Sequence, residues 1–252
     1  MKAIIAVAGK GGVGKTSISA MIVRQLVKDH PGERILAIDA DPAIGLETSL
    51  GVSVSITVDD IRKEIVAAGE GDDEKKRAIE LLGESRYRLL DAMVEKEGFA
   101  FLAIGRPEAS GCYCSVNSYL RQIISAWSES FDYVVIDGEA GVEQINRRVM
   151  EKVTHLILVT DPCKRGMKVI QTIKNVAKEL TMYQQCGAII NRFNDENLKQ
   201  YLDLGDVDVL AYIPDDPELA LADVQGKTVM EISDNSNLAL GVREALKKLG
   251  IE

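Results

Sequence analysis

Gly9-Lys10-Gly11-Gly12-Val13-Gly14-Lys15-Thr16 constrains this chain more than any other stretch, because few folds can hold such a loop. Its glycines let successive backbone N–H groups turn inward around phosphate oxygens, and a helix starting at its end points partial positive charge at them. Lys15 has the length to reach terminal phosphates, and the Thr16 hydroxyl suits Mg²⁺, which prefers oxygen ligands. The flanks agree. Ala3 to Ala8 is an apolar run of strand length, and from Thr16 to Val27 the residues Ile18, Met21, Ile22 and Leu26 fall on one helical face. Strand, loop and helix together make a phosphate cradle of Gly11, Gly12, Val13, Gly14, Lys15, Thr16 and Ser17. They predict an α/β P-loop fold of three layers, a mostly parallel sheet with helices on both faces.

With 252 residues, 46% of them hydrophobic, the chain can bury a sizeable core, and its length suits a single α/β domain. A net charge of -9 argues against broad nucleic-acid affinity, which depends on lysines and arginines neutralising phosphates. No apolar run approaches the roughly 20 residues that span a bilayer, and the N-terminus enters a strand rather than an export signal. The expectation is a cytoplasmic protein with neither nucleic acid nor membrane as partner. Four cysteines in a chain this long do not make a disulfide framework and stay thiols unless a metal takes them.

Further along, Arg34 to Ile38 reads as a second buried strand emptying into Asp39-Ala40-Asp41-Pro42. Ligands of open α/β sheets collect at such strand ends, so both carboxylates can face bound phosphates and magnesium, although a capped turn has the same composition. Val52 to Glu97 is a charged insertion expected to be mostly helical, with Thr57 as N-cap, a break at Gly69 to Asp73 and Gly98 as the stop. Phe99 to Ile104 is the next strand. Asp132 to Gly138 is another, delivering Asp137 to hold magnesium through water. Asp161-Pro162-Cys163 follows the strand Leu156 to Val159 and precedes a helix from Lys164 to Leu180; Cys163 and Cys186 read as packing residues. Ala188 to Arg192 carries Asn191 and Arg192 to the ligand edge, where the Asn191 amide can bond a base. A guanine-selective NKxD signature would put an aspartate where Asn194 stands, which favours ATP and ADP. Val209 to Ile213 then leads to Pro214-Asp215-Asp216, and a helix from Leu238 to Leu249 ends the chain.

The second chemical feature is Gly111-Cys112-Tyr113-Cys114, just ahead of an amphipathic helix with Val116, Tyr119, Leu120, Ile123, Ile124 and Trp127 at core spacing. A helix N-terminus favours thiolate, the metal-binding form; a lone cysteine here would more often be a small buried hydrophobe, and a pair one residue apart tips the reading toward metal. Two thiolates do not complete a tetrahedral zinc site or a four-coordinate nickel site. His30, at a helix end, and His155, opening an apolar strand, are poor candidates for the missing ligands.

The loop GKGGVGKT resembles the deviant P-loop of the family containing MinD, ParA, Mrp and nitrogenase iron protein. That resemblance implies that Lys10 crosses a dimer interface to the partner's nucleotide, and hence an ATP-sandwich homodimer. It implies that Asp39-Ala40-Asp41-Pro42 is a switch I in which Asp41 orients the attacking water and Asp39 supports magnesium. Lys10, Lys15 and Asp41 then form the catalytic set, Pro214 belongs to a segment wrapping the base, and Glu139 to Glu143 resembles switch II. A twofold dimer would bring Cys112 and Cys114 of both chains to one axis, where four thiolates can hold Ni²⁺ or Zn²⁺. Within the family, a deviant P-loop with CxC before this helix resembles the CooC-type ATPases, which serve nickel insertion into carbon monoxide dehydrogenase. The implied partner is a client metalloenzyme of that kind. A redox ATPase like nitrogenase iron protein fits less well, because Gly138 to Met150 has no cysteine, although a dimer-bridging iron–sulfur cluster on the two CxC pairs stays open. A MinD- or ParA-like positioning ATPase is disfavoured by the acidic balance and by the want of an amphipathic extension after the last helix.

Overall fold

A computed structural model describes residues 2–41, 45–67, 83–85, 87–105, 114–138, 153–180 and 183–251, with backbone alone over 114–120 and 179–180. The apolar runs become strands: β1 (Ala3–Gly9), β2 (Ile35–Asp39), β3 (Val94–Lys96), β4 (Phe99–Ala103), β5 (Tyr133–Asp137), β6 (His155–Thr160), β7 (Gln185–Asn191) and β8 (Asp208–Ile213). Among the described residues they form one sheet in the order β3-β4-β2-β5-β1-β6-β7-β8. Every pairing is parallel except β3 with β4. Strands covered on both faces read as continuous apolar runs, and β1 shows why. Its Ala3, Ile5 and Val7 enter one core while Ile4, Ala6 and Ala8 enter the other.

The first core is roofed by α1 (Lys15–Asp29), α2 (Leu46–Leu50), α6 (Pro217–Val224) and α7 (Asn237–Lys248). On α1 the expected stripe of Ile18, Met21, Ile22 and Leu26 is buried. The second core lies under α3 (Val58–Ala67), α4 (Cys114–Ser128) and α5 (Lys164–Leu180), to which Ile61, Ile124 and Ile170 contribute. Three layers result. No described helix is long and apolar enough to cross a membrane.

β1 stands between β5 and β6, so successive connections leave it toward opposite halves of the sheet. The carboxyl ends of β1, β2, β5 and β6 consequently meet at one edge of the sheet, the switch point at whose crevice open α/β sheets bind ligands. The charged insertion departs from its expectation. Val94–Lys96 is a strand, because a turn with Gly98 at φ +85° folds it back antiparallel on β4, pairing Val94 with Phe101. Thr57 does cap α3: its hydroxyl accepts from the Asp60 N–H at 3.2 Å while Asp60 Oδ2 accepts from the Thr57 N–H at 2.9 Å, a reciprocal capping box. Gly69 to Asp73, Cys112 and Glu139 to Glu143 lie outside the described residues.

Candidate nucleotide site

The loop between β1 and α1 is shaped by three glycines whose missing side chains are each needed. A Cβ on Gly9 would lie 2.0 Å from the Val159 carbonyl oxygen of β6, so only glycine lets β1 leave the sheet here. Gly12 and Gly14 take φ +76° and +91°, turning the backbone into the left-handed region that favours glycine. Gly14 is the N-cap of α1 and offers no side-chain cap, which leaves the first helical N–H groups directed at the crevice. The loop is braced from β7: Asn191 Nδ2 donates to the Val13 carbonyl at 2.8 Å, and a Gly14 Cβ would stand 2.6 Å from that nitrogen. Asn191, expected to face a base, thus spends one amide hydrogen on the loop. Lys15 is buried, its Nζ donating to the Lys10 carbonyl at 3.3 Å.

Beside the loop lie two buried carboxylates, Asp39 and Asp137, opposite one another in the β2–β5 register. Asp137 Oδ1 accepts from Ser19 Oγ at 2.9 Å; its Oδ2 is buried with no hydrogen-bond partner. Burial pushes the Asp137 pKa up to about 6, against the bonds from Thr16 and Ser19 and the charge of Lys15. Burial and the neighbouring Asp137 charge push Asp39 higher, to about 7. Asp39 takes a part that its position in the sequence does not reveal. Its Oδ1 accepts from the Asp41 N–H at 3.1 Å and its Oδ2 from the Leu46 N–H at 2.9 Å, so it staples the loop that carries Asp41. A dry pair of acids with one orphaned oxygen next to a threonine hydroxyl is costly by itself and fits a divalent cation. Magnesium suits this donor set, which is all oxygen.

Across the crevice, Lys10 Nζ lies 3.1 Å from Asp161 Oδ2 and 3.7 Å from Cys163 Sγ, both in the loop between β6 and α5. The Cys163 thiol donates to Asp161 Oδ1 at 2.9 Å. These bonds outweigh burial and hold the Asp161 carboxyl below the usual carboxylate range. Cys163 therefore does more than pack. The clue was its place, three residues after the end of β6 on the same sheet edge as the glycine loop. Cys186 behaves as expected of a packing residue, with burial raising its pKa to about 11.

On the other side of the loop a cavity of about 460 Å³ opens, lined among others by Gly14, Ser17, Asn191, Arg192, Pro214, Asp216 and Lys227. Arg192 is held at φ +57°, which costs a non-glycine residue about 1–2 kcal/mol. The strain is offset locally, since the turn aims Asn191 at the phosphate loop while buried Phe193 donates its N–H to the Ile213 carbonyl. Asn194 grips Asp215 through both of its side-chain atoms, at 2.6 and 2.9 Å, and Asp216 Oδ2 accepts from the Leu238 N–H at 2.8 Å. The Pro214 segment is pinned from two directions. Lys10, Lys15, Thr16, Asp39, Asp41 and Asp137 thus gather around the glycine loop, and Asn191, Arg192 and Pro214 line the cavity on its other side. Cys114 opens α4.

Residues 4–229 match the CobQ/CobB/MinD/ParA nucleotide binding domain. An uncharacterised ATP-binding protein of Methanocaldococcus jannaschii is 36% identical over 250 residues, 98% of each chain. The carbon monoxide dehydrogenase accessory protein CooC of Rhodospirillum rubrum is 31% identical over 241 residues, 91% of this chain and 90% of that one. Among solved structures, the septum site-determining protein MinD of Pyrococcus horikoshii, complexed with Mg-ADP, superposes with a TM-score of 0.70 at 23% identity, covering 99% of this chain and 96% of that one. The glycine loop, the carboxylates beside it and a family match spanning almost the whole chain lead to one conclusion: the protein belongs to the CobQ/CobB/MinD/ParA family and is a P-loop ATPase.

Proposed function

We propose that this ATPase closes into a homodimer on ATP and that the closed state completes a metal site from Cys112 and Cys114 of both chains, for nickel delivery to a client such as carbon monoxide dehydrogenase. One observation carries the reading: the sequence holds Cys112-Tyr113-Cys114, whose last residue opens α4, in a chain whose glycine loop also bears Lys10. Neither half of the metal site suffices within one chain, and the dimer implied by Lys10 supplies the other half. The relative named as a carbon monoxide dehydrogenase accessory protein supports the same client.

In this reading the N–H groups of Gly11 to Ser17 hold the phosphates, and Lys15 turns from the Lys10 carbonyl to the terminal ones. Thr16 and Asp137, with Asp39 beside them, would hold Mg²⁺, which when bound would neutralise phosphate charge. Asp39 acts by fixing the loop of Asp41. Asp41 orients water in line with the leaving group, and Lys10 reaches the partner's nucleotide; catalysis is positional and electrostatic. Asn191, Arg192 and Pro214 enclose the base. Because ATP and metal both favour the closed dimer, each raises affinity for the other by the same factor.

Light scattering tests this. Wild type is expected to dimerise with ATP or with Ni²⁺, whereas Cys112→Ser/Cys114→Ser keeps ATP binding and loses metal-driven dimerisation. Metal-driven dimerisation that survives in the double variant overturns the site. The likeness in fold to MinD favours a second reading, a surface-positioning ATPase, which ATP-dependent cosedimentation with anionic vesicles would support.

A further inference from the structure

Lys10 is already occupied within its own subunit. Its ammonium is paired with Asp161 at 3.1 Å and lies 3.7 Å from Cys163 Sγ, so a lysine meant for another chain's nucleotide must first leave these partners. We propose that Asp161, seated by Gly166 and braced by Cys163, is a positioning residue that latches Lys10 in its own subunit and sets the threshold for ATP-driven dimerisation. This rests on the dimer reading above, in which Lys10 acts across the interface.

The seat is built for a carboxylate. Gly166 lies in the first turn of α5, and a Cβ there would stand 2.6 Å from Asp161 Oδ1 and 2.2 Å from Thr160 Oγ1. Its bare backbone makes room for the acid. Cys163 then divides the two carboxylate oxygens, donating its thiol to Oδ1 at 2.9 Å, while Sγ accepts from the Gly166 N–H at 3.2 Å. Oδ2 is left for Lys10. The side chains of the pair are 31% and 25% exposed, so the latch is firm enough to bias Lys10 and weak enough to open.

A dimer opens two latches. A pair of this exposure changes the competent fraction of each protomer by about three-fold, so the dimer dissociation constant changes by about the square of that, ten-fold. Sedimentation over a concentration series, with Mg²⁺ and a non-hydrolysable ATP analogue, reads that constant for wild type, Asp161→Asn, Lys10→Gln and the double variant.

Asp161→Asn is expected to tighten dimerisation about ten-fold while nucleotide affinity at concentrations below dimerisation stays as in wild type. In the Lys10→Gln background the same substitution should change nothing, which a merely structural role would not produce. Gly166→Ala, which displaces the carboxylate without removing it, should shift the constant in the same direction. Asp161→Asn that dimerises no more tightly than wild type, or that acts equally with and without Lys10, overturns the latch. If Lys10→Gln weakens dimerisation but Asp161→Asn leaves it unchanged, the latch alone falls. If Lys10→Gln dimerises like wild type, the dimer reading falls and takes the latch with it.

Discussion

Asp137→Asn should make the free protein more stable while removing its response to magnesium. Asp137 is almost completely buried, and burial raises its pKa from an ordinary 3.8 to about 6. The folded protein therefore holds this proton more tightly than the unfolded chain does. The associated stability is fully present below about pH 3.8 and is lost as pH rises through about 6. A rise of that size corresponds to about 3 kcal/mol lost at pH 8 and roughly half as much at pH 5. Asparagine has nearly the same shape and can keep a bond to Ser19 without the buried charge. Asp39, whose pKa is raised in part by the Asp137 charge, shifts stability in the same direction. Urea unfolding in EDTA should therefore find Asp137→Asn more stable by up to about 3 kcal/mol at pH 8, with the gap narrowing toward pH 5. Added Mg-ADP should reverse the order, because only wild type gains from the cation. A variant no more stable than wild type at pH 8, or a gap that widens on acidification, would refute the account of this site.

Gly14→Ala places a side chain at φ +91° and drives its Cβ onto Asn191 Nδ2. Stability should fall by about 1–3 kcal/mol and nucleotide affinity by more than about ten-fold in a fluorescent-nucleotide titration, and unchanged affinity would contradict the brace. Cys186, half-buried and with its pKa raised to about 11, should react slowly with iodoacetamide at pH 8 in the native protein, as mass spectrometry can follow; labelling at the rate of an unfolded peptide would contradict the raised pKa.

What could be read from the sequence was local. The phosphate loop, the apolar strands and the acids at their ends declare themselves because each depends on neighbours a few residues away. What escaped reading is what the sheet order creates. Lys10 meets Asp161 across 151 positions, and Asn191 meets Val13 across 178, only because β1 lies beside β6 and β6 beside β7. Helical composition in the charged insertion hid β3, whose strand state comes from its pairing with β4 rather than from its own residues. The sequence marks Asp39 as a carboxylate at a strand end, but not that its two oxygens also accept backbone N–H groups of Asp41 and Leu46. Cysteine type alone could not separate Cys163, which touches Lys10, from Cys186, which packs.

The central claim is that a dimer builds a metal site neither chain holds alone. Nickel binding by anaerobically purified protein with ATP, measured as stoichiometry together with the sulfur coordination seen by X-ray absorption, tests it most directly. The account predicts about one nickel per two chains, ligated by sulfur and lost in Cys112→Ser/Cys114→Ser. Nickel bound at a full equivalent per monomer, or retained by the double variant, would contradict it.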